Sequence, residues 1–158
     1  MTRLQERLHT DLPIEATFDF VADFANAAAW DPGVAWSRRA EPVDQPLGVG
    51  TAFELGVRMG GRVKPMTYRV TRFERPTRIV LEGAGSGVEA VDDIRFDRSG
   101  GGGTAIDYTA DIQLRGLGRL VQPFLRSTFA RIGRDAAAGM AAALAGRARS
   151  ADRSVGAR

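Results

Sequence analysis

Apolar side chains recur at nearly every second position between Val34 and Leu114, and at every third or fourth position beyond Leu117. The first spacing predicts strands and the second a helix. Residues 3–12 also alternate. Leu4, Leu8, Thr10 and Leu12 share one face, and Gln5, Arg7, His9 and Asp11 the other. That is the pattern of a half-buried strand. Pro13 ends it and suits the first turn of a helix. Phe18, Val21, Ala22 and Ala25 then follow helical spacing, and "NAAAW" makes a second short turn before Asp31-Pro32-Gly33. The residue before a proline avoids the α region, so the helix stops there.

The strand pattern resumes at residues 34–41 and, after the loop "PVDQPLGVG", at 50–59, where Phe53, Leu55, Val57 and Met59 share a face. Met66, Tyr68 and Val70 do so in 64–74, and Ile79 and Leu81 in the strand after "ERP". Val88, Ala90, Asp92, Ile94 and Phe96 line one side of 88–97, and Thr104, Ile106, Tyr108, Ala110, Ile112 and Leu114 one side of 104–114. The linking turns "GG", "ERP", "GAGSG" and "RSGGGG" are short, which predicts an antiparallel meander of six to seven strands. One face is apolar and the other polar, as in a sheet covered on one side only. The cover is the last element: Leu117, Leu120, Val121, Phe124, Thr128, Ile132, Ala136, Met140 and Leu144 form one helical stripe, with Arg119, Arg126 and Arg134 away from it. The reading is one α+β domain over residues 1–145.

Charge changes the picture only at the end of the chain. The net charge is +3 over 158 residues, and Lys64 is the only lysine among 22 basic residues. The last thirteen residues, "GRARSADRSVGAR", hold four arginines and one aspartate, leaving 18 basic and 18 acidic groups in the first 145. The basicity is therefore a tail property, which argues against nucleic-acid binding. Residues 146–158 have Val155 as their one large apolar residue, and such a composition predicts a disordered, Arg-rich tail. There is no cysteine, which excludes disulfides and thiolate chemistry and fits a cytoplasmic protein. "MTRLQERLHTDL" is too polar for a signal peptide, and no apolar run is long enough to span a membrane.

The order strand, two short helices, antiparallel strands, long helix resembles the helix-grip superfamily that includes START lipid-transfer domains and birch-pollen-type allergens. Within it the chain is most similar to the bacterial polyketide cyclase/dehydrase and lipid-transport group, the SRPBCC proteins. The resemblance is carried by "LPIEATFDFVADFANAAAWDP", "GVGTAFEL", "MTYRVTRFERPTRIVLEG", "GGTAIDYTADIQL" and "LVQPFL". It implies a curved sheet gripping the C-terminal helix, with an apolar cavity between them. Phe20, Val21 and Phe24 would then seal the narrow end of the sheet as core residues, with Trp30 packed where the chain turns. The inward faces predict a wall drawn from Trp36, Phe53, Leu55, Val57, Met66 and Tyr68, from Ile79, Leu81, Asp92, Ile94, Tyr108 and Ala110, and from Phe124 and Thr128 on the helix.

Candidate chemistry is sparse. "GAGSG" and "RSGGGGT" lie between strands and read as hairpin turns, not phosphate loops. His9, the only histidine, faces outward by parity, so neither a metal site nor a Ser-His-Asp triad is expected. No cofactor is expected either. Asp92 and Asp93 point to opposite faces and cannot form a dyad. Asp92 falls among apolar neighbours, where it would need a partner such as Arg38, a position at the cavity mouth, or a proton. Asp92 and Tyr108 are the only candidates for catalysis. Trp36 shares a face with Val34 and Arg38 unless a bulge reverses it.

Three functions stay open. The chain is a carrier for a lipid, isoprenoid or polyketide-like molecule, a cyclase/aromatase-type enzyme, or an interaction module without a small ligand. The partner expected first is a hydrophobic small molecule, with transient membrane contact and a monomer or homodimer both compatible.

Overall fold

The computed structural model describes residues 1–157. Seven antiparallel strands form one sheet in the order β1-β7-β6-β5-β4-β3-β2. They are β1 (Thr2–Thr10), β2 (Val34–Arg39), β3 (Ala52–Met59), β4 (Arg62–Glu74), β5 (Arg78–Gly85), β6 (Val88–Arg98) and β7 (Thr104–Leu114). Strands β2 to β7 are a meander, and β1 closes the sheet against β7. Helix α1 (Ile14–Ala22), a 3-10 turn (Phe24–Asn26) and α2 (Ala27–Trp30) fill the connection from β1 to β2. The antiparallel meander expected from the pattern and the helix-grip architecture implied by the resemblance are the ones observed.

One end of the sheet is solid. The Thr17 hydroxyl donates to the Pro13 carbonyl at 2.9 Å, and the Thr104 hydroxyl donates to the Leu12 carbonyl at 2.8 Å. These bonds fix the start of α1 to the sheet. Phe18 then meets Phe73 and Phe96 edge-on, with ring centroids 5.3 and 5.2 Å apart. Edge-to-face contact is the favoured aromatic geometry.

The C-terminal helix departs from expectation twice. First, it does not bury its whole stripe. It begins as α3 (Gly118–Val121), tightens to a 3-10 turn over Gln122–Leu125, and continues as α4 (Arg126–Gly156). Pro123 lacks the N–H that a regular helix would use there. Only from Leu125 onward does the stripe turn to the sheet, where Met140 and Leu144 are fully covered.

Second, α4 continues through the segment whose composition predicted disorder. Ala and Arg are good helix formers, and the preceding helix has already met the cost of nucleation. The Arg147 guanidinium stacks over the Phe20 ring at 4.2 Å, and Ala148 packs against the core. From Arg149 to Ala157 every side chain is exposed, and Arg158 lies outside the described residues. Truncation after Ala148 is therefore expected to leave the melting temperature unchanged. Truncation before Arg147 should cost about 0.5–1 kcal/mol for the lost stack, readable by thermal unfolding.

Candidate functional site

A cavity of about 490 Å³ lies between the inner face of the sheet and α4. It exists because residues on both walls are small. Ala90 and Ala110 contribute from the sheet, and Gly133, Ala136 and Ala137 from α4. Strand register reinforces this, since Gly83 pairs with Tyr68 on one side and Ala90 on the other. A Cβ on Gly83 would lie 2.5 Å from the Tyr68 ring, so only glycine lets that ring lie flat across the strand. Phe24 and Trp30 close the inner end. The lining residues that reach solvent, Arg58 at the end of β3, Gly60 in the β3–β4 turn and Ile132 on α4, mark the mouth.

The inward-face prediction divides. Leu55, Val57, Met66, Tyr68, Asp92, Tyr108, Ala110 and Thr128 line the cavity. Phe53, Ile79, Leu81 and Ile94 face the same side but belong to the packed core, with the Phe24 ring over Phe53 at 6.1 Å. Trp36 and Phe124 are corrected outright. A register shift between Val34 and Trp36 turns the indole outward, across Gly56 and beneath the Arg38 guanidinium at 5.5 Å. Phe124 is 83% exposed on the 3-10 turn. Its place on the wall is taken by Leu125, Phe129 and Ile132. Trp30 and Phe24, read as core, are both core and cavity wall. Asp31, Glu6 and Arg58 were missed. Small residues at inward positions, together with the Trp-Asp pair at the end of α2, were the available signals.

The polar groups gather in one region. The Tyr108 hydroxyl donates to Asp92 Oδ1 at 2.7 Å. Their strands are adjacent, and Asp92 sits opposite Ala110, two residues from Tyr108 on the same face. Arg38 plays no part. It is paired with Glu54 at 2.6 Å on the exposed side. Without a cation, burial pushes the Asp92 carboxyl up to about 7, the Tyr108 hydrogen bond opposes this, and the Asp31 and Asp111 charges add to it. Asp93 shows the reverse on the outer face. There Arg78 grips both carboxylate oxygens, at 3.0 and 2.8 Å, and holds its pKa below the usual range.

Burial also raises the Tyr68 and Tyr108 hydroxyls well above their ordinary value, with the Asp92 charge contributing. Both remain neutral hydrogen-bonding groups near neutrality. Asp31 is raised by burial too, although its carboxylate accepts from the Gly33 N–H at 2.7 Å. Trp30 Nε1 is buried without a hydrogen-bond partner. Among the described residues no three His, Asp or Glu side chains gather as a metal site would need. His9 is exposed on the outer face of β1. The arrangement can solvate a neutral apolar molecule and meet one of its oxygens with hydroxyl donors or a carboxyl group.

The fold recurs in solved structures. An aromatase/cyclase, ZhuI, from a Streptomyces species aligns with a TM-score of 0.71 at 16% identity, covering 93% of both chains. A START superfamily protein from Mycobacterium smegmatis aligns at 0.69 and 14% identity, covering 95% of this chain and 99% of that one. A Thermus thermophilus protein aligns at 0.73 and 12% identity, covering 90% and 96%. At such identities the likeness concerns fold alone. No curated protein sequence matches. No helix among the described residues is long and apolar enough to cross a membrane. The family model described as polyketide cyclase / dehydrase and lipid transport matches residues 1–145, and the chain belongs to that family.

Proposed function

We propose that the protein binds a hydrophobic small molecule, of lipid, isoprenoid or polyketide type, in the cavity between sheet and α4. The carrying observation is the cavity itself, mostly apolar in its walls yet holding Tyr68, Asp92 and Tyr108 together. Its volume falls within the range of ordinary small-molecule sites. In this reading Tyr68 and the Asp92–Tyr108 pair hold an oxygen of the ligand, and the other lining residues supply apolar contact. A cytoplasmic setting is part of the proposal.

A second reading, a cyclase/aromatase-type enzyme, is favoured by one observation. A carboxyl near 7 in contact with a tyrosine hydroxyl can take up or return a proton near neutrality. The ligand-free interaction module gains nothing from a cavity built by small residues on two elements.

The test uses the fluorescent apolar probe N-phenyl-1-naphthylamine. Ala110→Trp places an indole in the cavity and should weaken probe binding per folded molecule about tenfold or more, at a stability cost of about 1–3 kcal/mol for the added bulk. Unchanged binding would remove the cavity from consideration. Native mass spectrometry of protein from its own host would then identify the bound molecule. A molecule returned unchanged supports the carrier, and a converted one the enzyme.

A further inference from the structure

The stripe left unburied across α3 and the following 3-10 turn is the most exposed cluster of large apolar side chains among the described residues. Leu117, Leu120 and Phe124 are 84%, 72% and 83% exposed, and Val121 is half uncovered. Their spacing, i, i+3, i+4 and i+7, puts them on one face of a helical turn. This outward orientation is fixed by the fold. Between them Gln122 is buried, and its amide donates to the Ile112 carbonyl at 2.8 Å and to Thr2 Oγ1 at 3.0 Å. Its Oε1 accepts from the Leu114 N–H at 3.0 Å. Three hydrogen bonds thus staple the 3-10 turn to the sheet by its polar side and leave the apolar side facing water.

The charge carried by the segment itself has one sign. From Arg115 to Arg134 there are five arginines and no acidic residue. Arg115 pairs with Glu89, while Arg119, Arg126, Arg131 and Arg134 are exposed and form no ion pair among the described residues. The next residue after Phe124 is Leu125, which already lines the cavity, and Ile132 follows at the mouth. The apolar face therefore runs directly into the cavity wall, with the arginines on the other side of the turn.

We propose that Leu117–Phe124 is a docking surface for an anionic lipid membrane, which brings the cavity mouth to the bilayer surface. Leucine and phenylalanine on one side with arginine on the other is the composition of a helix lying in the membrane interface. The arginines add attraction to anionic headgroups. A second copy of the chain is the disfavoured occupant, because pairing this segment with itself would bring the unpaired arginines of both copies together with no acidic residue in the segment to meet them.

The experiment is flotation of the full chain with vesicles of phosphatidylcholine alone and of phosphatidylcholine with about one-third phosphatidylglycerol. Partitioning to the anionic vesicles should be about tenfold or more stronger, and should fall with added salt. Leu120→Ser with Phe124→Ser should abolish it, and Arg119→Glu with Arg126→Glu should remove the preference for anionic lipid. Both variants should keep the wild-type melting temperature and cavity-probe affinity, so loss of docking is separable from loss of ligand binding. Equal partitioning to both vesicle types, or none, overturns the proposal. A concentration-dependent dimer that Leu120→Ser/Phe124→Ser dissociates, without vesicle binding, overturns it in favour of self-association.

Discussion

Asp92→Asn is expected to raise the melting temperature at about pH 8 and to leave it nearly unchanged at about pH 4. In the folded protein burial carries the Asp92 carboxyl to about 7, against an unfolded value of roughly 3.9. Between these values the folded state binds the proton and the unfolded state does not. Stability therefore falls as pH rises through the window from about 4 to about 7. At about 1.4 kcal/mol per pKa unit, the penalty reaches up to roughly 4 kcal/mol once the folded-state carboxyl is ionised. Asparagine does not ionise, and its carbonyl oxygen can still accept from the Tyr108 hydroxyl. The variant should therefore escape the penalty and keep the hydrogen bond. Asp31 is raised for the same reason, so a weaker downward slope should survive in the variant. Thermal unfolding of both proteins across this pH range is the measurement. Parallel curves would mean that Asp92 is not desolvated as its surroundings require, and the proposed ligand anchor would lose its physical basis. On the enzyme reading, the same substitution should also abolish turnover while apolar-probe binding persists.

The second large effect contrasts two phenylalanines. Phe18→Ala should cost about 3–5 kcal/mol, the range for deleting a fully buried ring. Phe18 is wholly covered and lies edge-on to Phe73 and Phe96. Phe124→Ala should stay within about 0.5 kcal/mol, as at an exposed site without partners. Phe18 does not line the cavity, so probe binding per folded molecule should survive Phe18→Ala. Urea unfolding of both variants decides the matter. A destabilising Phe124→Ala would show that the face around it is covered in solution.

Much of the candidate site was legible because strands alternate strictly. Tyr68, Asp92, Tyr108 and Ala110 had to face one side once their strands were recognised, and Asp93 the other. The opposite pKa shifts of Asp92 and Asp93 follow from that parity. Trp36 was not legible, since one extra residue at the Val34–Trp36 bulge reverses every side chain that follows within the strand. Phe124 was misjudged for a related reason. Helical spacing shows which residues share a face and is silent about which way that face points. Gln122 settles the direction through three bonds to residues of β1 and β7, far away in sequence for Thr2.

What the sequence determined by itself is therefore periodic and local: six to seven strands and the faces of all but β2, the stop at Pro13, the turns, the family, and a carboxyl among apolar neighbours at Asp92. What tertiary structure decided is whatever depends on two distant elements meeting. Small residues on β6, β7 and α4 become a cavity only when those elements face one another. Asp92 finds Tyr108 instead of Arg38 because register places the hydroxyl two residues along the adjacent strand. The segment after Leu144 continues as helix because α4 is already nucleated and Phe20 lies beneath Arg147. Local pattern reports the cost of exposing each side chain, whereas only the packed chain shows what is there to cover it.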